Sequence, residues 1–201
     1  MTTRGFKYLL GLMALLLAVG LACGSPTPTP APPPTVAPVA TEAASTSVGD
    51  QWTTFTDKND YFAIDVPSDW TYSQEVDSTS SNWYWDKYLS PDQHAGVESI
   101  VYDDGTPWSS QDTGPTFRSW LHQFYSSTGQ EGDIRISDDS IQKDGSERLT
   151  WESKGSDRSG YTFVEVRKPT AGLMFTAWWD NAYQDQYSDL LDKVIGSYRI
   201  P

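Results

Sequence analysis

The stretch Leu173–Trp179 reads LMFTAWW and is apolar at nearly every position. Neighbouring side chains of a β-strand point to opposite faces of the sheet, so both faces of this strand are apolar. A sheet of that kind needs other layers to cover both of its faces. The shorter run Trp83–Trp85 has the same character. These two stretches therefore predict a central sheet that is buried from both sides.

The other predicted strands all precede this stretch in the sequence. They are short segments rich in aromatic and β-branched residues, separated by turn signals such as Pro169–Gly172. Consecutive strands joined by short turns pair antiparallel. The predicted strands are Trp52–Thr56, Tyr61–Val66, Asn82–Leu89, Val97–Tyr102, Ile134–Gln142, Arg148–Lys154, Tyr161–Arg167 and Leu173–Trp179.

Two amphipathic helices can supply the cover that the sheet needs. The first begins near Thr113–Pro115, where the proline suits the first helical position. The second runs from about Ala182 to Ile195. Because the helices are far apart in the sequence, each can cover a different face, which predicts three layers. The first helix carries one apolar stripe, made of Phe117, Trp120, Leu121 and Phe124.

Two short motifs resemble a known family. Tyr61–Trp70 (YFAIDVPSDW) is similar to the opening of PsbP-like domains, and Ile195–Tyr198 (IGSY) is similar to their ending. The resemblance covers residues 51–201 and implies an α+β fold, a three-layer α/β/α sandwich with a central antiparallel sheet. It also implies a non-enzymatic role, because the best understood relatives are extrinsic subunits that dock on membrane complexes. Many bacterial relatives are lipoproteins, and no catalytic set belongs to the family.

Residues 1–22 have the pattern of a lipoprotein signal peptide. Arg4 and Lys7 precede an apolar run of about 15 residues, which is shorter than a membrane-spanning helix. Gly20–Cys23 (GLAC) resembles a bacterial lipobox, although Gly20 and Leu21 depart from its preferred pattern. This resemblance implies cleavage before Cys23 and acylation of Cys23 by diacylglycerol and a further chain such as palmitate. We expect a lipid anchor in the bilayer at Cys23, with the domain on the extracytoplasmic face of the cell membrane.

Residues 23–50 are predicted to be a disordered linker. The segment is rich in Pro, Thr, Ala and Ser, with seven prolines between Pro26 and Pro38, and it lacks a periodic apolar face. Proline favours extended polyproline geometry, so the linker is expected to hold the domain away from the membrane. The threonines among the prolines are candidate sites of O-glycosylation.

Charge and composition exclude several functions. The formal net charge is −13, and such a field repels the phosphates of nucleic acids. Cys23 is the sole cysteine, so disulfides and thiolate catalysis are not expected in the domain. The sequence has neither a P-loop nor a G-x-G-x-x-G motif, and we predict no cofactor. With only two histidines, His94 and His122, and no nucleophile motif, we predict no catalytic residue.

The tryptophans are the clearest candidates for contacts with a ligand or partner. The dense runs Trp83–Trp85 and Trp178–Trp179 could form an aromatic platform, and Trp108, which lies in a loop, is the candidate for an exposed contact. The alternative is that such rings fill a core that is covered from both sides. Asp103 and Asp104 are candidates for a cation site, although solvated loop acids are the simpler interpretation and we predict no metal.

Three functions remain open at this point. The first is a non-catalytic accessory domain that binds a membrane or envelope protein. The second is a module that binds carbohydrate or another small ligand through exposed aromatic rings. The third is a carboxylate-based hydrolase, which would need two or more acids to converge in one pocket.

Overall fold

The computed structural model describes residues 51–109, 113–129, 131–143 and 145–201. The predicted signal peptide (1–22), Cys23 and the linker (23–50) lie outside the described residues. Within these ranges the chain forms nine strands and two α-helices, which are β1 (Trp52–Thr56), β2 (Ala63–Pro67), β3 (Thr71–Val76), β4 (Trp83–Leu89), β5 (Ala95–Asp103), α1 (Thr113–Tyr125), β6 (Ile134–Ile141), β7 (Glu147–Ser153), β8 (Arg158–Lys168), β9 (Ala171–Asp180) and α2 (Gln184–Gly196).

A seven-stranded sheet with the order β3-β4-β5-β9-β8-β7-β6 forms the centre of the fold. Every neighbouring pair in it is antiparallel. The strands β1 and β2 form a separate two-stranded sheet. An isolated bridge between Ala63 and Arg199 ties β2 to the end of the chain.

Successive side chains of β9 enter two different cores, as its all-apolar pattern predicted. Phe175 and Trp179 face the core formed with α2 and β2, whereas Met174 and Trp178 face the core formed with α1. Both Trp178 and Trp179 are buried. The three layers are therefore α1, the sheet, and a layer that combines α2 with the β1–β2 hairpin. The predicted α/β/α arrangement is confirmed, with a hairpin added to one outer layer.

Two local predictions differ from the structure. Strand β3 was not predicted, because its side chains are exposed along its whole length and show no alternation of apolar and polar residues. This is the pattern of an edge strand. The last helix begins later than predicted, since Asn181–Tyr183 forms a 3₁₀ turn before α2 starts at Gln184. Neither helix of the described residues has the length and apolarity of a membrane-spanning segment.

Candidate functional site

An open cavity of about 590 Å³ lies where α1, β4, β5 and the connection between β5 and α1 meet. We call it the aromatic groove. Five half-buried aromatic side chains line it, namely Trp83, Tyr102, Trp108, Trp120 and Phe124. The remaining lining residues are Ile100, Asp104, Thr106, Pro107, Ser109, Thr116 and Gln123. Its volume falls within the range of about 300–1,000 Å³ that is usual for small-ligand sites.

Three of the rings pack against one another at steep angles. The centroids of Trp108 and Trp120 are 6.0 Å apart with planes at 87°, and those of Tyr102 and Trp108 are 6.2 Å apart at 86°. The pair Tyr102 and Trp120 is at 5.9 Å and 64°. Edge-to-face contacts of this kind are favourable and restrict ring rotation. The groove therefore has walls that are fixed before any ligand arrives.

Trp108 is held in place by the turn between β8 and β9. Its backbone N–H donates to the carbonyl of Pro169 at 2.8 Å, and its indole N–H donates to the carbonyl of Thr170 at 3.0 Å. Its ring also stacks on Phe117, with centroids 5.3 Å apart and planes at 5°. The sequence predicted an exposed loop residue. The structure corrects this prediction, because Trp108 is half-buried and forms a wall of the groove.

The structure separates the other two predicted tryptophans. Trp83 lies opposite Tyr102 in the β4–β5 register and lines the groove. Trp85 does not line it, although its side chain is on the same face of β4. Its ring meets the ring of Phe124 edge-on at 4.9 Å, and its indole N–H donates to Glu98 at 3.0 Å. Trp85 therefore supports the core under α1 rather than the groove.

Asp103 and Asp104 do not converge on a common point. The carboxylate of Asp104 lines the groove and accepts hydrogen bonds from the backbone N–H of Thr106 at 2.8 Å and the hydroxyl of Tyr102 at 3.1 Å. The hydrogen bond from Thr106 is the main reason why the pKa of Asp104 is lowered. Asp103 instead accepts from the hydroxyl of Tyr61 at 3.5 Å. Among the described residues, no group of three or more His, Cys, Asp or Glu side chains is arranged to hold a metal ion.

Glu98 is a buried acid that the sequence analysis did not identify. It accepts hydrogen bonds from the indole N–H groups of Trp85 and Trp178, the latter at 2.7 Å, and from the hydroxyl of Tyr125 at 2.9 Å. Burial raises the pKa of Glu98 despite these three donors. The residue ties α1 to β4, β5 and β9, so it supports the floor behind the groove. An acid at a strand position carries no sequence signal of burial, which is why pattern reasoning missed it.

The two histidines lie apart from the groove. The Nδ1 atom of His94 is 2.8 Å from a carboxylate oxygen of Asp180, and its ring stacks on Tyr183 with centroids 3.7 Å apart. His122 lies on α1 and lines a different surface cavity, together with Arg118. Both are partly buried.

Comparison with known proteins gives a structural match and no sequence match. No protein-family profile matches the chain, and neither does any curated protein. The solution structure of cyanobacterial PsbP (CyanoP) from Synechocystis sp. PCC 6803 matches it with a TM-score of 0.53 and 14% sequence identity. The match covers 75% of this chain and 92% of the other. The chain therefore has the PsbP-like fold that the segments Tyr61–Trp70 and Ile195–Tyr198 indicated.

Proposed function

We propose that this protein is a lipoprotein anchored through Cys23 on the extracytoplasmic face of the cell membrane, and that its folded domain is a non-catalytic accessory module. The domain binds a membrane or envelope protein through the aromatic groove. The PsbP-like fold supports this assignment, because the sequence resemblance implies relatives that dock on membrane complexes and are not enzymes.

The fixed wall of rings around the groove is the observation that carries the proposal. Trp108 and Trp120 are half-buried and held by mutual packing, so a ligand can contact them without a large loss of side-chain entropy. Tryptophan and tyrosine are also the side chains that contribute most often to binding hot spots. A protein partner could bury these rings further at little conformational cost.

A comparison of two tryptophan variants tests the role of the groove. The full chain with its own signal peptide is recovered from membranes in detergent, and its bound proteins are quantified by mass spectrometry. Trp83→Ala should lose a specific partner. Trp52→Ala is the matched control, since Trp52 is 39% exposed on β1 in the opposite layer and should keep the partner. Asp104→Asn is a second groove variant that leaves every ring in place. Equal recovery of all partners by the three variants would refute the proposal.

The anchor is tested separately. Mass spectrometry of the mature protein should find an acylated Cys23 at its N-terminus. Cys23→Ser should release the protein from the membrane fraction, because the remaining chain would carry no acyl group. A mature N-terminus elsewhere, or an unmodified Cys23, would remove the anchor from the proposal without affecting the groove.

A second candidate function is the binding of carbohydrate or another small ligand. The groove volume of about 590 Å³ and the side chains of Asp104, Gln123 and Thr116, which can hydrogen-bond to hydroxyl groups, favour it. Titration of the purified protein with neutral oligosaccharides, followed by tryptophan fluorescence, separates this function from the first, because it needs no protein partner. We rank the carboxylate-based hydrolase below both, since Asp103 and Asp104 contact different neighbours.

A further inference from the structure

Basic side chains cover many of the aromatic rings of this domain. Six basic residues lie 3.5 to 5.6 Å from the centroid of an aromatic ring within the described ranges. Examples are Lys58 over Tyr84 at 3.7 Å, Lys87 over Trp85 at 3.5 Å and Arg158 over Trp178 at 4.0 Å. The cations are attracted by the negative faces of the rings. These pairs involve seven rings, of which three are buried (Tyr61, Tyr84 and Trp178) and four are partly exposed (Trp85, Tyr161, Phe163 and Tyr198).

The aromatic rings of the groove differ from those seven rings. None of its five aromatic side chains has a lysine or arginine over it among the residues that the structure describes. Its lining contains no basic residue and one carboxylate, that of Asp104. Five partly exposed rings thus lie together in the groove without a basic side chain over them, among the described residues.

The charges around the groove are negative. Asp104 is exposed, and its lowered pKa keeps it ionised at neutral pH. The pKa of the Tyr102 hydroxyl is raised, first because it donates to Asp104, then because of partial burial, and further because of the negative charges of Asp104 and Asp77. The surrounding domain adds to this field, since 25 acidic residues but only 12 of the 14 basic ones lie in residues 51–201. Such a field attracts cations and repels anionic ligands.

The size of the groove argues for a peptide segment rather than an isolated small cation. A cavity of about 590 Å³ is much larger than one guanidinium or ammonium group, so most of its wall must meet apolar atoms of the ligand. An arginine side chain offers both an apolar and a cationic part. Its apolar stem can pack on the rings, while its planar guanidinium group can stack on a ring and pair with a carboxylate.

We infer that the aromatic groove receives a basic side chain, arginine or lysine, from the protein partner, with the cation over the rings of Trp108 or Trp120 and paired with Asp104. This inference rests on the proposed function and specifies the chemistry of the partner. The partner segment presents apolar residues on either side of the basic one.

The test uses two peptides that differ only in charge. The full chain in detergent micelles is titrated at low salt with acetyl-Leu-Arg-Leu-amide and with the same peptide carrying citrulline, the neutral counterpart of arginine. Indole N–H signals in NMR spectra report the binding. The arginine peptide should bind about tenfold more tightly than the citrulline peptide. Added salt should weaken the binding of the arginine peptide more than that of the citrulline peptide, because screening reduces the electrostatic attraction of the cation.

Matched carboxylate variants locate the effect. Asp104→Asn should reduce the preference for arginine. Asp189→Asn makes the same change of charge at an exposed position of α2, in the opposite layer, and should leave the preference unchanged. The indole N–H signals that shift when the arginine peptide is added should include those of Trp108 and Trp120.

Several outcomes would overturn the inference: equal affinities of the two peptides, no binding of the arginine peptide up to its solubility limit, or tighter binding of maltotriose or of a peptide with the sequence of residues 25–38. The proposed function can fail or hold independently. If Trp83→Ala loses a membrane partner while the two peptides bind equally, the accessory function stands and the cationic ligand is wrong. If the arginine peptide binds selectively but no membrane partner depends on Trp83, the preference for a cationic ligand stands and the accessory function is wrong.

Discussion

The indole ring of Trp108 fills the space next to Gly172 in which a side chain would otherwise lie. A Cβ atom on Gly172 would be 2.6 Å from Cζ2 of Trp108 and 3.1 Å from the ring of Phe117. Gly172 is also the cross-strand neighbour of Tyr102, another wall of the groove. A residue without a side chain at this point of β9 is therefore what allows the loop between β5 and α1 to pack closely on the sheet.

Gly172→Ala should displace Trp108 and destabilise the fold by about 1–3 kcal/mol, the usual cost of overpacking. Chemical denaturation gives the free energy of unfolding, and near-ultraviolet circular dichroism reports the movement of the ring. Gly114→Ala is the control, because Gly114 lies in α1 with open space where a Cβ would be. Equal effects of the two substitutions would contradict the steric explanation.

Trp85→Ala should cost more stability than Trp83→Ala, although both residues lie on β4 with their side chains on the same face. We expect a loss of about 3 kcal/mol for Trp85→Ala, because it opens a cavity beside Phe124. It also removes one of the hydrogen bonds to the buried Glu98. Trp83 borders the groove, so its loss should reduce binding more than stability. Urea unfolding of both variants tests the order, and the reverse order would show that our division between core and groove is wrong.

Tyr84→Phe should destabilise the β1–β2 hairpin. The hydroxyl of Tyr84 donates to the carboxylate of Asp57 at 2.7 Å, and Asp57 is only 1% exposed. Loss of a donor to a buried carboxylate costs about 1–3 kcal/mol. Tyr102→Phe is the matched control, since the hydroxyl of Tyr102 donates to an exposed carboxylate, that of Asp104. The control should change the free energy of unfolding by less than about 0.5 kcal/mol. Similar losses for the two variants would argue against the burial effect.

The stability of the domain should depend on pH through Glu98. Burial raises the pKa of Glu98 above its ordinary value of 4.5, so the folded state holds this proton to a higher pH than the unfolded state does. The stabilisation by Glu98 is therefore complete below the unfolded-state pKa and is lost as the pH rises through the folded-state pKa. Glu98→Gln lacks this dependence.

The measurement for Glu98 is the difference in unfolding free energy between the wild type and Glu98→Gln, from about pH 5 to about pH 8. The difference, wild type minus variant, should fall as the pH rises. Asp86 also has a pKa raised by burial, but it is present in both proteins and cancels. A difference that stays constant or grows with pH would contradict the assignment.

The layers of the fold could be predicted because burial leaves a direct mark on composition. The apolar run in β9 predicted a sheet covered on both faces, and the stripe on α1 predicted one of the covers. Strand β3 could not be predicted in the same way. It pairs only with β4 and is exposed throughout, so no apolar alternation reveals it. Its pairing depends on β4 rather than on its own sequence.

The groove could be predicted only in part. Trp83 and Trp108 were identified as contact candidates, but Tyr102 and Trp120 were attributed to a strand and to the apolar stripe of α1. The register between Trp83 and Tyr102 and the packing of Trp108 on Phe117 bring these residues together. Such long-range proximity is set by the fold, and local patterns do not encode it. Sequence reasoning also assigned Trp85 to the same surface, whereas the buried Glu98 and the ring of Phe124 hold it against the core.

The position of β9 in the sheet sets the time at which this domain can fold. Strand β9 lies between β5 and β8, and it is the last strand to leave the ribosome. Until Ala171–Asp180 has been synthesised, β3-β4-β5 and β6-β7-β8 are two separate ribbons, and each has an open edge where β9 belongs. Nearly the whole chain must therefore exist before the core can close, because neither ribbon can pair its open edge until β9 is available.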